Sequence, residues 1–151
     1  MKATLHTDGA ARRKRGEPTG PAGIGALLIS ESGQVLGEIA NSIGFATNNV
    51  AEYTALIEGL QMALDKGVTD LDTYIDSPVV EGHLLKGHRI KADHLRPLAE
   101  RVRESLDLFP ASSLTRVPRV LNTDADKLAN RGIDDAITPG VSRAKTDGTK
   151  G

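Results

Sequence analysis

The chain predicts an α/β domain, a mixed sheet with helices packed against it, in the order β-β-β-α-β-α-α-β-α. Three observations carry this. Residues 2–8 alternate as a strand does. Two apolar runs, 22–30 and 35–43, are separated by the short turn Glu31-Ser32-Gly33-Gln34 and read as an antiparallel hairpin. Residues 49–66 then place Tyr53, Leu56, Ile57, Leu60 and Leu64 at helical spacing, and Gly67 stops the run.

The remaining elements follow in order. The first strand ends at Asp8, and residues 11–21, polar, basic and rich in Gly and Pro, mark a loop. After the first helix, residues 71–76 form a short strand closed by Asp76. Helices follow near 78–86 and 93–107, with Pro110 ending the second. Residues 113–117 read as a last strand and 123–136 as a last helix. A catalytic domain over 1–137 leaves residues 138–151, poor in apolar side chains, as a disordered tail.

Composition narrows the function. At 151 residues the chain fits one domain with a single core. It has no cysteine, so disulfides and thiolate metal sites are excluded. No run approaches the roughly 20 apolar residues of a membrane span, and Met1 to His6 has no apolar signal region. A soluble cytoplasmic monomer without an obligatory protein partner is expected. The net charge of −1 argues against indiscriminate binding to nucleic acid. Its distribution is uneven: Arg12, Arg13, Lys14 and Arg15 form one basic run, and Lys86, Arg89, Lys91 and Arg96 a looser group. With only four aromatic residues, a nucleic-acid partner would be a duplex held by its backbones, since single strands need stacking platforms.

Four carboxylates stand in short, unusual contexts: Thr7-Asp8-Gly9-Ala10, Asn48-Asn49-Val50-Ala51-Glu52-Tyr53, Asp76-Ser77 and Ala125-Asp126-Lys127-Leu128-Ala129-Asn130. Each has a structural account. Asp8-Gly9 reads as a turn pair. With Asn49 as N-cap, Glu52 completes a capping box. Asp76-Ser77 can cap the next helix, and Asp126 sits in the first turn of the last, where Asp124 competes with it. In a sheet with parallel members, Asp8 and Asp76 meet outside the strand ends if their strands are parallel neighbours. Four carboxylates in one pocket stay ionised only with cations between them.

In this order the motifs resemble ribonuclease H of type 1, in particular its short bacterial and archaeal branch. Arg119-x-x-Asn122-x-x-Ala125-Asp126 and the turn Gly20-Pro21-Ala22-Gly23 extend the resemblance, which runs from about residue 3 to residue 136. It implies a ribonuclease H-like fold, a five-stranded mixed sheet with its first three strands antiparallel. It implies that Asp8, Glu52, Asp76 and Asp126 are catalytic, metal-binding acids. Two Mg²⁺ ions, replaceable by Mn²⁺, would suit such oxygen ligands and serve a two-metal hydrolysis. The implied activity is endonucleolytic cleavage of the RNA strand of an RNA–DNA hybrid, leaving 5′-phosphate and 3′-hydroxyl ends. Asn48, Glu52, Ser77 and the backbone of Gly9 and Ala10 would read ribose 2′-hydroxyls, while Thr47 and Asn49 would touch the DNA strand or cap the helix. A catalytically silent hybrid-binding module and a nuclease also acting on double-stranded RNA are the alternatives.

The chain departs from the family pattern in places. Its loop after Asp8 is longer and basic, so Arg13, Lys14 and Arg15 are expected to contact phosphates. Pro78 stands where a glutamine often follows the Asp-Ser pair, and the basic handle of longer relatives is absent. The family's histidine before the last helix has no counterpart, Arg116 standing in that stretch. Among the other histidines, only His6 shares a strand face with Asp8.

Overall fold

The computed structural model describes residues 1–137. The tail expected from Thr138 lies outside the described residues. Five strands, β1 (Lys2–Ala11), β2 (Gly20–Ser30), β3 (Val35–Ala46), β4 (Asp70–Ile75) and β5 (Ala111–Arg116), form one sheet in the order β3-β2-β1-β4-β5. β1 and β3 pair antiparallel with β2, whereas β4 is parallel to both β1 and β5. The helices are α1 (Asn48–Asp65), α2 (Pro78–Leu85), α3 (Arg96–Asp107) and α4 (Thr123–Ile137). This is the predicted element order and the five-stranded mixed sheet.

Two boundaries differ in ways that matter. β1 does not end at Asp8 but runs to Ala11, because its pairing with β2 continues through Ala11↔Ala22. The loop therefore shrinks to residues 12–19. The stretch expected as one helix from 93 opens instead with a 3-10 turn, Asp93–Leu95, before α3 begins with Pro97 in its first turn.

The main core lies between the sheet and α1 and α3, where Leu5, Leu28, Tyr53, Leu56, Leu60, Leu71 and Val102 are buried. α4 covers the opposite face of β2 through Ala125, Ala129 and Ile133. Small residues set this approach. A Cβ on Gly25 would lie 2.2 Å from the carbonyl oxygen of Ala125. Only glycine at that point lets the first turn of α4 reach β2 opposite Asp8, the partner of Gly25 in register.

Candidate active site

The parallel pairing of β1 with β4 runs from Lys2↔Asp70 to His6↔Tyr74. Two residues beyond that last pair stand Asp8, still on β1, and Asp76, just past the end of β4. β4 stops at Ile75 while β1 continues, so the two acids face each other where the sheet opens. Both are largely buried, at 4% and 8% exposure. Asp76 is free for this position because Ser77, not Asp76, caps α2: its hydroxyl accepts the Val80 N–H at 3.2 Å.

Glu52 arrives from α1, and the capping-box expectation for it fails. The N-cap is Thr47, whose hydroxyl accepts the Val50 N–H at 3.1 Å, so the helix begins at Asn48 and Glu52 sits deeper than the first turn. Its carboxylate instead accepts the backbone N–H of Gly9 at 2.8 Å. That bond depends on contact between backbones, for a Cβ on Gly9 would lie 2.2 Å from the carbonyl carbon of Ala51. Asn48 ties the same two elements, its side-chain oxygen accepting the Ala11 N–H at 3.0 Å.

Asp8, Glu52 and Asp76 thus converge, with one carboxylate oxygen from each within 4.8 Å of the others. Asp126, in the first turn of α4, completes the wall, near enough to Asp8 for its carboxylate to help raise that acid. Asp124, the competing acid, is exposed instead. The cavity between them measures about 470 Å³ and also takes in Gly9, Ala10, Asn48, Asn49, Ser77 and Arg119. Arg13, Lys14 and Arg15 do not line it; they stand on the exposed 12–19 loop.

Burial and mutual repulsion define the electrostatics. Desolvation first, then the charges of Glu52 and Asp76, push the Asp8 carboxyl far above its ordinary range. Glu52 is also raised, chiefly by desolvation, and the Gly9 N–H and the Arg119 guanidinium oppose the rise. Oxygen donors alone, held close and short of positive charge, are the ligand set of a hard divalent cation.

Two asparagines given no role in the sequence reading, Asn122 and Asn130, support the acids. Asn122, 1% exposed, donates its amide to Asp76 Oδ2 and to the Thr7 carbonyl, both at 2.8 Å, so it fixes one acid against the strand that carries another. His6 is drawn into the same support: its ring lies 3.3 Å from Asn122 Oδ1 and stacks on Tyr74. Asn130 donates to Asp126 Oδ1 at 3.3 Å. The Arg-x-x-Asn and Asp-x-Leu-Ala-Asn spacings were the available signal. Arg116, set against the missing histidine, pairs with Glu81 at 3.0 Å; the arginine beside the acids is Arg119.

A larger cavity of about 630 Å³ adjoins this one across Asn49, Pro78 and Val79. It is lined by His83, His88, Arg89 and Lys91 and holds no carboxylate. His83 there accepts or donates a 2.7 Å hydrogen bond with the Tyr53 hydroxyl.

Residues 7–132 match a family model described as reverse transcriptase-like. The chain is 44% identical over 129 residues to ribonuclease HI of Halobacterium salinarum, covering 85% of this chain and 63% of that protein. It therefore spans less than two thirds of that relative's length. The crystal structure of RNase H1 from the halophilic archaeon Halobacterium salinarum NRC-1 superimposes with a TM-score of 0.82 at 40% identity, covering 89% of this chain and 99% of that one. The crystal structure of LC11-RNase H1 in complex with an RNA/DNA hybrid gives a TM-score of 0.79 at 32% identity, over 89% and 99% of the two chains.

Proposed function

Since the chain belongs to the type 1 ribonuclease H family, we propose that it is an endoribonuclease cutting the RNA strand of RNA–DNA hybrids. The products would be 5′-phosphate and 3′-hydroxyl ends. The observation that carries the reading is the convergence of Asp8, Glu52 and Asp76 oxygens within 4.8 Å, with Asp126 against Asp8. A catalytically silent binding module gains nothing from such repulsion.

In this reading Asp8, Glu52, Asp76 and Asp126 hold divalent cations, Mg²⁺ by preference with Mn²⁺ able to substitute. When bound, the cations supply neutralisation of the acids, polarisation of the scissile phosphate and a lowered pKa for water. The chain's own residues do the positioning. Gly9 and Asn122 fix Glu52 and Asp76 through the bonds described above. Ser77, Asn48 and the Gly9–Ala10 backbone line the open side of the acidic cavity, where a ribose 2′-hydroxyl would be read. Thr47 and Asn49 mark the start of α1 beside it, where the opposing strand would pass. Arg13, Lys14 and Arg15 stand outside the cavity as phosphate contacts. A cytoplasmic monomer completes the proposal; no described helix is long and apolar enough to cross a membrane.

The test incubates labelled hybrid, double-stranded RNA and double-stranded DNA with the protein, with and without Mg²⁺, beside Asp8→Asn. Hybrid cleavage that needs Mg²⁺ and disappears in the variant is expected, with double-stranded DNA left intact. Equal digestion of hybrid and double-stranded DNA would reject it.

A further inference from the structure

One of the two phenylalanines is displayed rather than buried. Phe45 is 74% exposed, near the end of the edge strand β3 and paired in register with Pro21. Beside it lies a cleft of about 590 Å³ between β3 and the 12–19 loop, lined by Phe45, Pro21, Thr19, Lys14, Arg15 and Arg12, with Glu17 as its one acid. A lone exposed hydrophobe is ordinary. An aromatic ring set among cations, in a chain with four aromatic residues, is not.

The loop that carries the cations is held in place. The Arg12 N–H donates to the Pro21 carbonyl and the Glu17 N–H to the Lys14 carbonyl, both at 2.9 Å. Gly20 packs on the Arg12 backbone so closely that a Cβ would lie 2.2 Å from its oxygen. The Arg12 side chain is tied to α4 through Asp134 at 2.7 Å and Asn130 at 3.0 Å. Lys14 and Arg15 have no acidic partner within salt-bridge distance among the described residues. Arg12 lines both this cleft and the acidic cavity, so the two adjoin at that residue.

We propose that this cleft is a second substrate contact, in which Phe45 covers a sugar of the hybrid's backbone while Lys14 and Arg15 pair with flanking phosphates. The occupant follows from charge and from the shared border at Arg12. The catalytic cavity is acidic and repels phosphate, so a polyanion reaching it gains from cations at its border. Between successive phosphates a duplex presents sugars, whose C–H faces suit an aromatic ring. The inference rests on hybrid cleavage as the chain's activity.

Steady-state cleavage of a hybrid length series, from about 6 to about 24 base pairs at ~3.4 Å per step, separates the two ideas. Three proteins are compared: wild type, Phe45→Ala, and Lys14→Ala with Arg15→Ala. On the longest hybrid both variants are expected to raise KM about tenfold, the size of a stacking contact, with kcat unchanged. On the shortest they should match wild type. The double variant should also flatten the salt dependence of binding by about two phosphate contacts, whereas Phe45→Ala should leave that slope alone and Phe45→Trp restore KM. Wild-type behaviour of both variants at every length overturns the second contact while leaving hybrid cleavage intact, as does an equal loss on short and long hybrids. Absence of cleavage by wild type at any length would instead remove the underlying reading, and this one with it.

Discussion

Metal-free protein should lose stability as pH rises, and a divalent cation should restore it. Burial and neighbouring acids raise Asp8 from its ordinary 3.8 to about 9 and Glu52 from 4.5 to about 7. A carboxyl with a raised folded-state pKa binds more protons folded than unfolded. Its stabilising effect is therefore complete below its unfolded value and is lost as pH climbs toward the folded one. The window here opens near pH 4 and extends through neutrality. For Glu52 alone the loss is at most about 3 kcal/mol. Asp8 and Glu52 titrate as one unit, so their losses do not add in full, and a total of about 4 kcal/mol between pH 5 and pH 8 is expected. A domain of this size loses about 2–4 °C of Tm per kcal/mol, hence about 8–16 °C over that interval. Mg²⁺ at about 100 times its Kd returns about 2.7 kcal/mol at pH 8. Calorimetry in chelator across pH, repeated with Mg²⁺, measures both. Asp8→Asn should raise the Tm of metal-free protein at pH 8 and blunt the Mg²⁺ response. A metal-free protein more stable at pH 8 than at pH 5, or an Asp8→Asn protein with an unchanged pH slope, would refute the electrostatic reasoning.

Other outcomes follow from single contacts. Asn122→Ala leaves Asp76 Oδ2 and the Thr7 carbonyl without their donor; denaturant unfolding should show a loss of about 1–3 kcal/mol, and cleavage assays a kcat reduced more than tenfold, near one unit of 1.4 kcal/mol. Gly9→Ala forces α1 away from β1 and should cost about 1–3 kcal/mol by denaturant melt together with activity, because the Gly9–Glu52 bond is lost. Arg119→Ala removes a charge that lowers Glu52, so the acidic limb of the pH–rate profile should move to higher pH. Tyr53→Phe deletes the bond to His83 and should cost about 1 kcal/mol of stability while the specific activity of folded protein holds.

The order of elements was legible in the sequence because hydrophobic spacing is local, and the meeting of Asp8 with Asp76 because both lie at strand ends that parallel pairing brings together. What escaped was decided by partners distant in sequence. Thr47 and Asn49 are both competent caps; β3 runs on to Ala46 and presents Thr47 at the turn, and that choice freed Glu52 to meet Gly9. β1 looked finished at Asp8 because the three residues after it are held by β2. Asn122 stood in the Arg-x-x-Asn motif without a role of its own, and only the packing of its 3-10 turn on β1 and β4 buries it. Phe45 fell beyond the strand expected over 35–43, and nothing local says that the strand runs past it or is the outermost one.

The acids take their places from strand alignment and from backbone-to-backbone seating of helices, and none of them rides on the hairpin tip between Arg13 and Pro18. That tip can be lengthened, shortened or recoloured in charge while the acidic site stays put. The acidic site and the exposed cations are thereby housed in separable parts, and an engineer could change the charge of the tip without rebuilding the pocket.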